Sequence, residues 1–376
     1  MKPQEYKVHF ETVTPLRFGD AWLENKAPFK TSSIIGSLRF WFEIICYLSG
    51  ITKPYDYTIN THDRYGKADK IHKHKYNVIL KADLKQKEFR DELIKLIETS
   101  EKDCSTDDLT IELLEKMKIP LPARVFGCTG WQGLIKIKKV EISKIQRNQS
   151  YEIFTSNTNP QNLILRNNEH LYQSNSKRSD NYIRDYFYGY FDVIFSTDKN
   201  TAQHILFPLL KFIECYGFIG GAWNLGYGRV KVSFDKAEVE YNKFSDYAEF
   251  SNNPVSIDDL VENVDREIDL LKNKKINNKL RLFIRNDSKD FHGETVNYLL
   301  KELKKEKIYI RRHRYNMGKY EKYYQVFGSK SLPVHGSKVL PWVREANNEE
   351  KKWEYGLISI IDILNIGEGD NGKNEF

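Results

Sequence analysis

The chain has little of what marks several common protein classes. Its four cysteines, Cys46, Cys104, Cys128 and Cys215, lie far apart and form no C-x-x-C pair. That argues against a disulfide scaffold and for reduced thiols in a cytoplasmic protein. Long apolar runs are missing too. The most hydrophobic stretch, Ile34 to Leu48, contains Arg39 and Glu43 and is too short to span a bilayer, and Met1 to Lys7 has no apolar signal region. No membrane partner is expected. Walker, serine-elbow and H-E-x-x-H motifs are absent, which removes the familiar nucleotide-hydrolase, serine-hydrolase and zinc-protease readings. The group His62, His72 and His74 lacks a cysteine or carboxylate at ligand spacing, so neither a metal nor a cofactor is expected. His9 and His204 belong to no acid–base motif.

What is present leans basic and aromatic. The 376 residues carry a formal net charge of +7, with 23 Tyr, 21 Phe and 6 Trp. A basic excess favours a polyanionic partner, and rings in a basic chain offer base-stacking surfaces beyond those the core uses. The most informative segment is Gly217 to Arg229, which contains Gly220, Gly221, Trp223, Asn224, Gly226 and Gly228. Before it, Ala202, Leu206, Leu209, Ile213 and Tyr216 build one apolar helical face; after it, Arg229 to Phe234 alternates as a strand. The order helix, glycine loop, strand is the reverse of a dinucleotide-binding fingerprint. Two readings remain: a loose connection, or a loop whose bare backbone admits a sugar-phosphate chain with a base stacked nearby.

Tyr6 to Thr14 reads as a strand stopped by Pro15, and Arg17 to Thr31 as a loop. Thr31, Ser32 and Ser33 offer caps for a helix whose stripe is Ile34, Leu38, Trp41, Ile45 and Leu48. Trp41 on this stripe is expected in the core, whereas Trp223 joins no stripe and is the better stacking candidate. Lys81 to Thr99 reads as a helix, Arg124 to Ile142 as a strand region, Arg147 to Asp180 as a long loop, and Tyr182 to Phe195 as an aromatic strand region. The order strand–helix–strand–strand–helix–strand predicts an α+β, ferredoxin-like domain over residues 1–245, the split βαβ layout of RNA-recognition motifs, with long insertions. Ser251 to Ser256 reads as a linker to a second, degenerate βαβ-type domain over 255–376. Within it, Ile257 to Leu271 and Glu294 to Lys305 read as helices, Leu280 to Arg285 and Trp353 to Ile361 as strands. Arg311, Arg312 and Arg314, among Tyr315, Tyr320, Tyr323 and Tyr324, form either a solvated charge run or a nucleic-acid surface.

Two segments go beyond composition. Thr14-Pro15-Leu16-Arg17-Phe18-Gly19 and Lys30-Thr31-Ser32-Ser33-Ile34-Ile35-Gly36-Ser37-Leu38-Arg39-Phe40-Trp41-Phe42 resemble the N-terminal blocks of RAMP proteins, the repeat-associated subunits of CRISPR RNA-guided complexes. They look most like the first RAMP subunit of the type III-B (Cmr) effector. The glycine loop is similar to the one that precedes the last strand of this superfamily's ferredoxin-like unit, and Arg124 to Gly130 looks like its "lFG" turn. The resemblance covers residues 6–234. It implies a non-catalytic role holding guide (crRNA) and target RNA, near the 3′ part of the guide and beside other RAMP subunits. The matching residues are Lys30, Ser32, Ser33, Gly36 and Arg39, and Gly220, Gly221, Gly226, Gly228 and Arg229. The family loop is usually more basic than Ala222-Trp223-Asn224-Leu225, which leaves the backbone rather than side chains to meet phosphate. Arg39 has a second explanation, an i,i+4 pair with Glu43. Two other readings stand beside this one: a guide-processing endoribonuclease of the same superfamily, and an adaptor that touches only protein.

Overall fold

The structure, a computed structural model, describes residues 3–16, 30–60, 77–99, 106–145, 150–154, 160–164, 187–234, 243–244, 250, 254–266, 279–285, 296–316, 337–346 and 353–360. In chain order these form β1 (Gln4–Thr12), α1 (Thr31–Leu48), the hairpin β2 (Tyr57–Asn60) and β3 (Asn77–Leu80), then α2 (Gln86–Thr99), α3 (Thr106–Lys116) and α4 (Leu121–Phe126). Next come β4 (Lys136–Ile145), the hairpin β5 (Ser150–Phe154) and β6 (Pro160–Ile164), and β7 (Gly189–Thr197). A single turn α5 (Lys199–Thr201) and a π-helical segment (Ala202–Leu206) lead into α6 (Phe207–Cys215), and β8 (Val230–Phe234) follows. The second part holds β9 (Lys243–Phe244), β10 (Val255–Ser256), β11 (Val261–Asn263), β12 (Leu280–Ile284), α7 (Val296–Asn316), β13 (Val339–Glu345) and β14 (Trp353–Ser359).

The first sheet has the order β4-β7-β1-β8, antiparallel throughout. With α1 after its first strand and α6 after its third, this is the ferredoxin-like arrangement. Alternation explains the layering. Val8, Phe10, Phe191, Val193 and Phe195 turn to one face and are buried under the helices. Lys7, His9 and Glu11 turn to the other face, as a period of two requires. The stripe foreseen on α1 is buried at every position: Ile34, Leu38, Trp41, Ile45 and Leu48. So is the apolar face Ala202, Leu206, Leu209, Ile213 and Tyr216.

The second sheet has the order β11-β12-β14-β13. Its strands β12, β13 and β14 with helix α7 repeat the first three strands and first helix of the ferredoxin-like plan, and β11 lies parallel to β12 where a fourth strand would pair antiparallel. One face of this sheet (Val339, Val343, Tyr355, Leu357) packs with α7 residues Leu299, Leu300 and Leu303. The other (Leu280, Leu282, Leu340, Trp342, Ile358) joins the core of the first unit. Burial on both faces accounts for the near-continuous apolar runs of β13 and β14.

Several local expectations are corrected. Ile257 to Leu271 does not begin as a helix: Asp258–Leu260 is a single 3-10 turn and Val261–Asn263 is β11. Arg124 lies in α4 rather than in a strand, and β4 starts only at Lys136. The polar stretch 147–180 contains the hairpin β5–β6. Helix α7 runs on to Asn316, well past Lys305. Pairing with a partner strand, which a local pattern does not carry, decides β11 and the β5–β6 hairpin. His62, His72, His74, Cys104, Arg17 to Phe29, Tyr320, Tyr323 and Tyr324 lie outside the described residues.

Candidate nucleic-acid interface

The glycine loop is fastened at its base by the two sequence blocks that precede it. Ile219 donates its N–H to the carbonyl of Gly228, and Gly228 donates to that of Pro15, at 2.8 and 3.0 Å. Arg229 donates its N–H to Thr14 Oγ1 at 2.9 Å, while the Arg229 carbonyl accepts from the N–H groups of Val13 and Thr14. The Thr14-Pro15-Leu16 block therefore acts as a backbone anchor for the loop. A second anchor comes from α1. Trp41 Nε1 donates to the Phe218 carbonyl at 2.8 Å, and Ser37 Oγ accepts the Gly220 N–H at 2.9 Å while donating to the Ser33 carbonyl. One hydrogen bond of Ser37 thus holds the loop against the first helix, and the other stays within α1.

Between these anchors the loop divides into two sides. Ala222 (φ 63°) and Gly226 (φ 80°) flank a 3-10 turn over Trp223–Leu225 in the left-handed region. Ala222, Leu225 and Tyr227 pack into the core of the second unit. Gly226 is buried there too: a Cβ on it would stand 2.6 Å from Leu300 and 3.0 Å from Pro341. Gly228 (φ 98°) is closed in by the Ile219 carbonyl, 2.2 Å from where a Cβ would be. These two glycines, expected at the RNA surface, are required instead by backbone geometry and close packing.

The other side of the loop faces α1 across an open concavity of about 340 Å³. Gly220, Gly221 and Trp223 form one wall; Ser33, Gly36, Ser37 and Phe40 form the other. Trp223 meets Phe40, Trp41 and Phe218 at ring-centroid distances of 5.0, 5.7 and 6.2 Å. It is half-buried, a core ring on one face and a lining of the concavity on the other. Its indole Nε1 is buried and has no acceptor among the described residues.

The concavity sits at the N-terminal end of α1. That helix follows Lys30, whose backbone is extended (φ −103°, ψ 119°), with no side-chain cap among the described residues and no acidic residue in the first turn. The hydroxyls of Thr31, Ser32 and Ser33, foreseen as caps, do not cap it. Ser32 and Gly36 are exposed beside it. The Ser33 N–H is donated to the Lys30 carbonyl; the first-turn N–H groups before it and the helix dipole favour a negative charge there.

Two expected RNA-contacting arginines serve the fold. Arg39 Nε donates to Glu43 Oε1 at 2.7 Å, and a second nitrogen donates to the Gly127 carbonyl at 2.7 Å, tying α1 to the turn after α4. Burial raises the Glu43 pKa against the opposing pull of Arg39. Arg229 is only 1% exposed. Its guanidinium donates to the carbonyls of Ile213, Glu214, Cys215 and Gly217 at the end of α6, and to that of Val343 on β13. Its plane lies near the rings of Phe218 and Trp342, 5.3 and 5.8 Å from the centroids. Burial pulls its pKa down to about 9, which leaves it charged at neutral pH. Arg229 is a helix C-cap and a clamp between the two units; it does not reach the surface.

The sequence reading missed Ser37 and Phe40, although both lie within the block that it singled out. The signal was available in the spacing: Ser33, Ser37 and Phe40 follow at i, i+4 and i+7 on one helical face. Arg311, Arg312 and Arg314 fall on α7, and the side chains of Arg312 and Arg314 lie outside the described residues. His9 Nδ1 lies 2.8 Å from Asp192 Oδ1, and Lys7 bonds the same carboxylate. By strand alternation they occupy the sheet face opposite α1. Among the described residues no group of His, Cys, Asp or Glu could hold a metal ion, and no helix is long and apolar enough to cross a membrane.

Comparison with known proteins gives a family. A profile of the RAMP superfamily matches residues 9–231, more than half of the chain. No curated protein sequence matches it. Among solved structures, a chain described as "Type IV-B CRISPR Complex" is similar at 14% identity and a TM-score of 0.31, covering 66% of this chain and 98% of that one. A likeness at that score decides neither fold nor role.

Proposed function

The chain belongs to the RAMP superfamily, and from that premise we propose that it is a non-catalytic RNA-binding subunit of a CRISPR RNA-guided effector, of the type III-B kind. In this reading it holds the 3′ part of the guide RNA and the target RNA, beside other RAMP subunits in the cytoplasm. The type assignment rests on the resemblance of the Thr14–Gly19 and Lys30–Phe42 blocks.

One observation carries the RNA reading. Gly36 sits inside the 18-residue helix α1, exposed in the concavity wall, and among the described residues a Cβ there would meet nothing within 4 Å. A mid-helix glycine costs about 1 kcal/mol relative to alanine, yet no neighbour among the described residues requires it. A ligand backbone approaching the helix between Ser33 and Phe40 would supply the requirement, as would the same approach at Gly221. Phosphate at the uncapped helix end and a base on Trp223 complete the contact. The test follows from the signs. Gly36→Ala should raise stability by about 0.5–1 kcal/mol and weaken single-stranded RNA binding. Gly36→Leu should weaken binding further, with the fold intact. If thermal melts and binding isotherms show both variants binding RNA like the wild type, the concavity is not the RNA site.

The same reading holds that the protein alone does not cut RNA. His9 and its carboxylate lie across the sheet from the concavity. Metal-independent cleavage needs a base and an acid at one phosphate. Incubated with single-stranded RNA at neutral pH, with and without magnesium, the protein should leave it intact. Site-specific fragments that vanish with His9→Ala or His204→Ala would favour the guide-processing endoribonuclease instead.

A further inference from the structure

We propose that the second unit sets the loop wall of the concavity: Lys307 and Leu300 of α7 are positioning residues that hold the turn Trp223–Leu225 where RNA requires it, without touching the RNA themselves. The inference rests on the RNA reading of the concavity and adds what controls its opening.

The loop divides its residues between two neighbours. Gly220, Gly221 and Trp223 face the concavity. Ala222, Leu225 and Tyr227 belong to the apolar cluster of the second unit, which includes Leu300 and Leu303. At Gly226 the backbone lies so close to α7 that a Cβ would stand 2.6 Å from Leu300 Cδ2. The carbonyl of Asn224, the residue after Trp223, accepts a hydrogen bond from Lys307 Nζ at 3.1 Å. The first unit holds the loop at its base and at Gly220, through Gly228, Pro15 and Ser37. It also packs the Trp223 ring. Beyond Gly221, the backbone of the turn is gripped by α7.

A glycine-rich segment needs such outside support, because bare backbone has wide conformational freedom and little side chain to pack. Leu300 supplies apolar contact, which has no direction. Lys307 supplies a directed bond at the peptide next to the ring proposed to stack a base. The amine is a costly way to fill this position. Burial, and then the charges of Arg311 and Lys304, pull the Lys307 pKa down to about 7. Methionine has a similar reach and would pack there without that desolvation. Asn224 is exposed, so its carbonyl could take a water in place of the amine. Packing alone therefore does not account for a lysine here, whereas fixing the peptide beside Trp223 does. A site held in one geometry binds more tightly than one that samples several, in proportion to the time spent in the competent geometry.

The experiment measures thermal stability, affinity for a labelled oligouridylate over a range of salt, and amide exchange at Leu225 and Gly226, whose N–H groups donate to the Ala222 and Trp223 carbonyls. Lys307→Met should melt at or above the wild-type temperature, bind RNA about threefold to tenfold more weakly, and exchange faster at both amides. Its log–log salt slope should not change, because no phosphate contact is lost. Lys307→Arg keeps a donor and should restore most of the affinity. Leu300→Ala should melt lower, with the folded protein showing the same weakened binding and faster exchange. Wild-type affinity and exchange in both Lys307→Met and Leu300→Ala would refute the proposal. A slope shallower by about 0.7 in Lys307→Met would make this lysine a phosphate ligand and overturn its positioning role. Failure of the concavity itself reads differently: Gly36→Leu is then silent, and the RNA role of Lys307 falls with it even if exchange quickens.

Discussion

Replacing Arg229 by methionine is expected to be the most damaging single change in the protein, lowering stability by about 3–5 kcal/mol. The last carbonyls of a helix have no partner within it. In α6 those of Ile213, Glu214 and Cys215, with that of Gly217 just beyond, converge on one buried guanidinium. Methionine fills similar space but donates nothing, so the carbonyls of Glu214, Gly217 and Val343 lose the guanidinium, while that of Cys215 keeps Trp342 Nε1 and that of Ile213 keeps the Gly217 N–H. Each such loss costs about 1–3 kcal/mol before relaxation. The positive charge also sits at the negative end of the α6 dipole, a favourable placement that methionine forfeits. Arg229→Lys keeps the charge but has three donors on a flexible stem instead of a planar fork of five. It should recover only part of the loss. Thermal melts give the order wild type, lysine, methionine. RNA affinity of the folded variants should not change. A lysine variant with wild-type stability and weakened RNA binding would show that this side chain meets RNA after all.

Trp223→Ala is expected to lower both stability and RNA affinity, and the two losses report different faces of one ring. Its inner face packs on Phe40, Trp41 and Phe218. A fully buried tryptophan cut to alanine costs about 3–5 kcal/mol. For this half-buried one, about 2–3 kcal/mol is expected. Its outer face lines the concavity, where a stacked base contributes about 1–3 kcal/mol. Trp223→Phe separates the two. Phenylalanine keeps an aromatic ring and discards the buried indole N–H that has no acceptor among the described residues, so stability should stay within about 1 kcal/mol of wild type. Most of the RNA affinity should return with it. If alanine destabilises the protein while binding by the folded fraction is undiminished, Trp223 is a core residue only and the concavity loses its stacking platform.

The first-domain architecture was legible because its signals are local and periodic. The α1 stripe, the apolar face that ends at Tyr216 and the alternation of β1 each encode their own buried side. The order of these elements is then enough to specify a ferredoxin-like sheet. The loop between α6 and β8 was legible as a special segment because five glycines crowd into Gly217 to Gly228. The sequence also contained the Arg39–Glu43 pair, since i,i+4 partners are fixed by helix geometry alone.

What each loop residue does was decided only in three dimensions. Gly226 and Gly228 look like Gly220 and Gly221 in the sequence, but Leu300, Pro341 and the Ile219 carbonyl close around the first two. A basic residue after a glycine loop reads as a phosphate ligand, yet the end of α6 lies where it captures the Arg229 side chain. The corrected strand β11 is set by pairing with Leu280 to Leu282, which no local pattern announces. Lys307, 83 residues from Asn224 in sequence, reaches the loop only because the second unit packs against it. Periodicity lets a chain determine which face of each element is apolar. Which of its polar and glycine residues remain open to a ligand depends on what the other elements bring alongside, and that is fixed by tertiary packing alone.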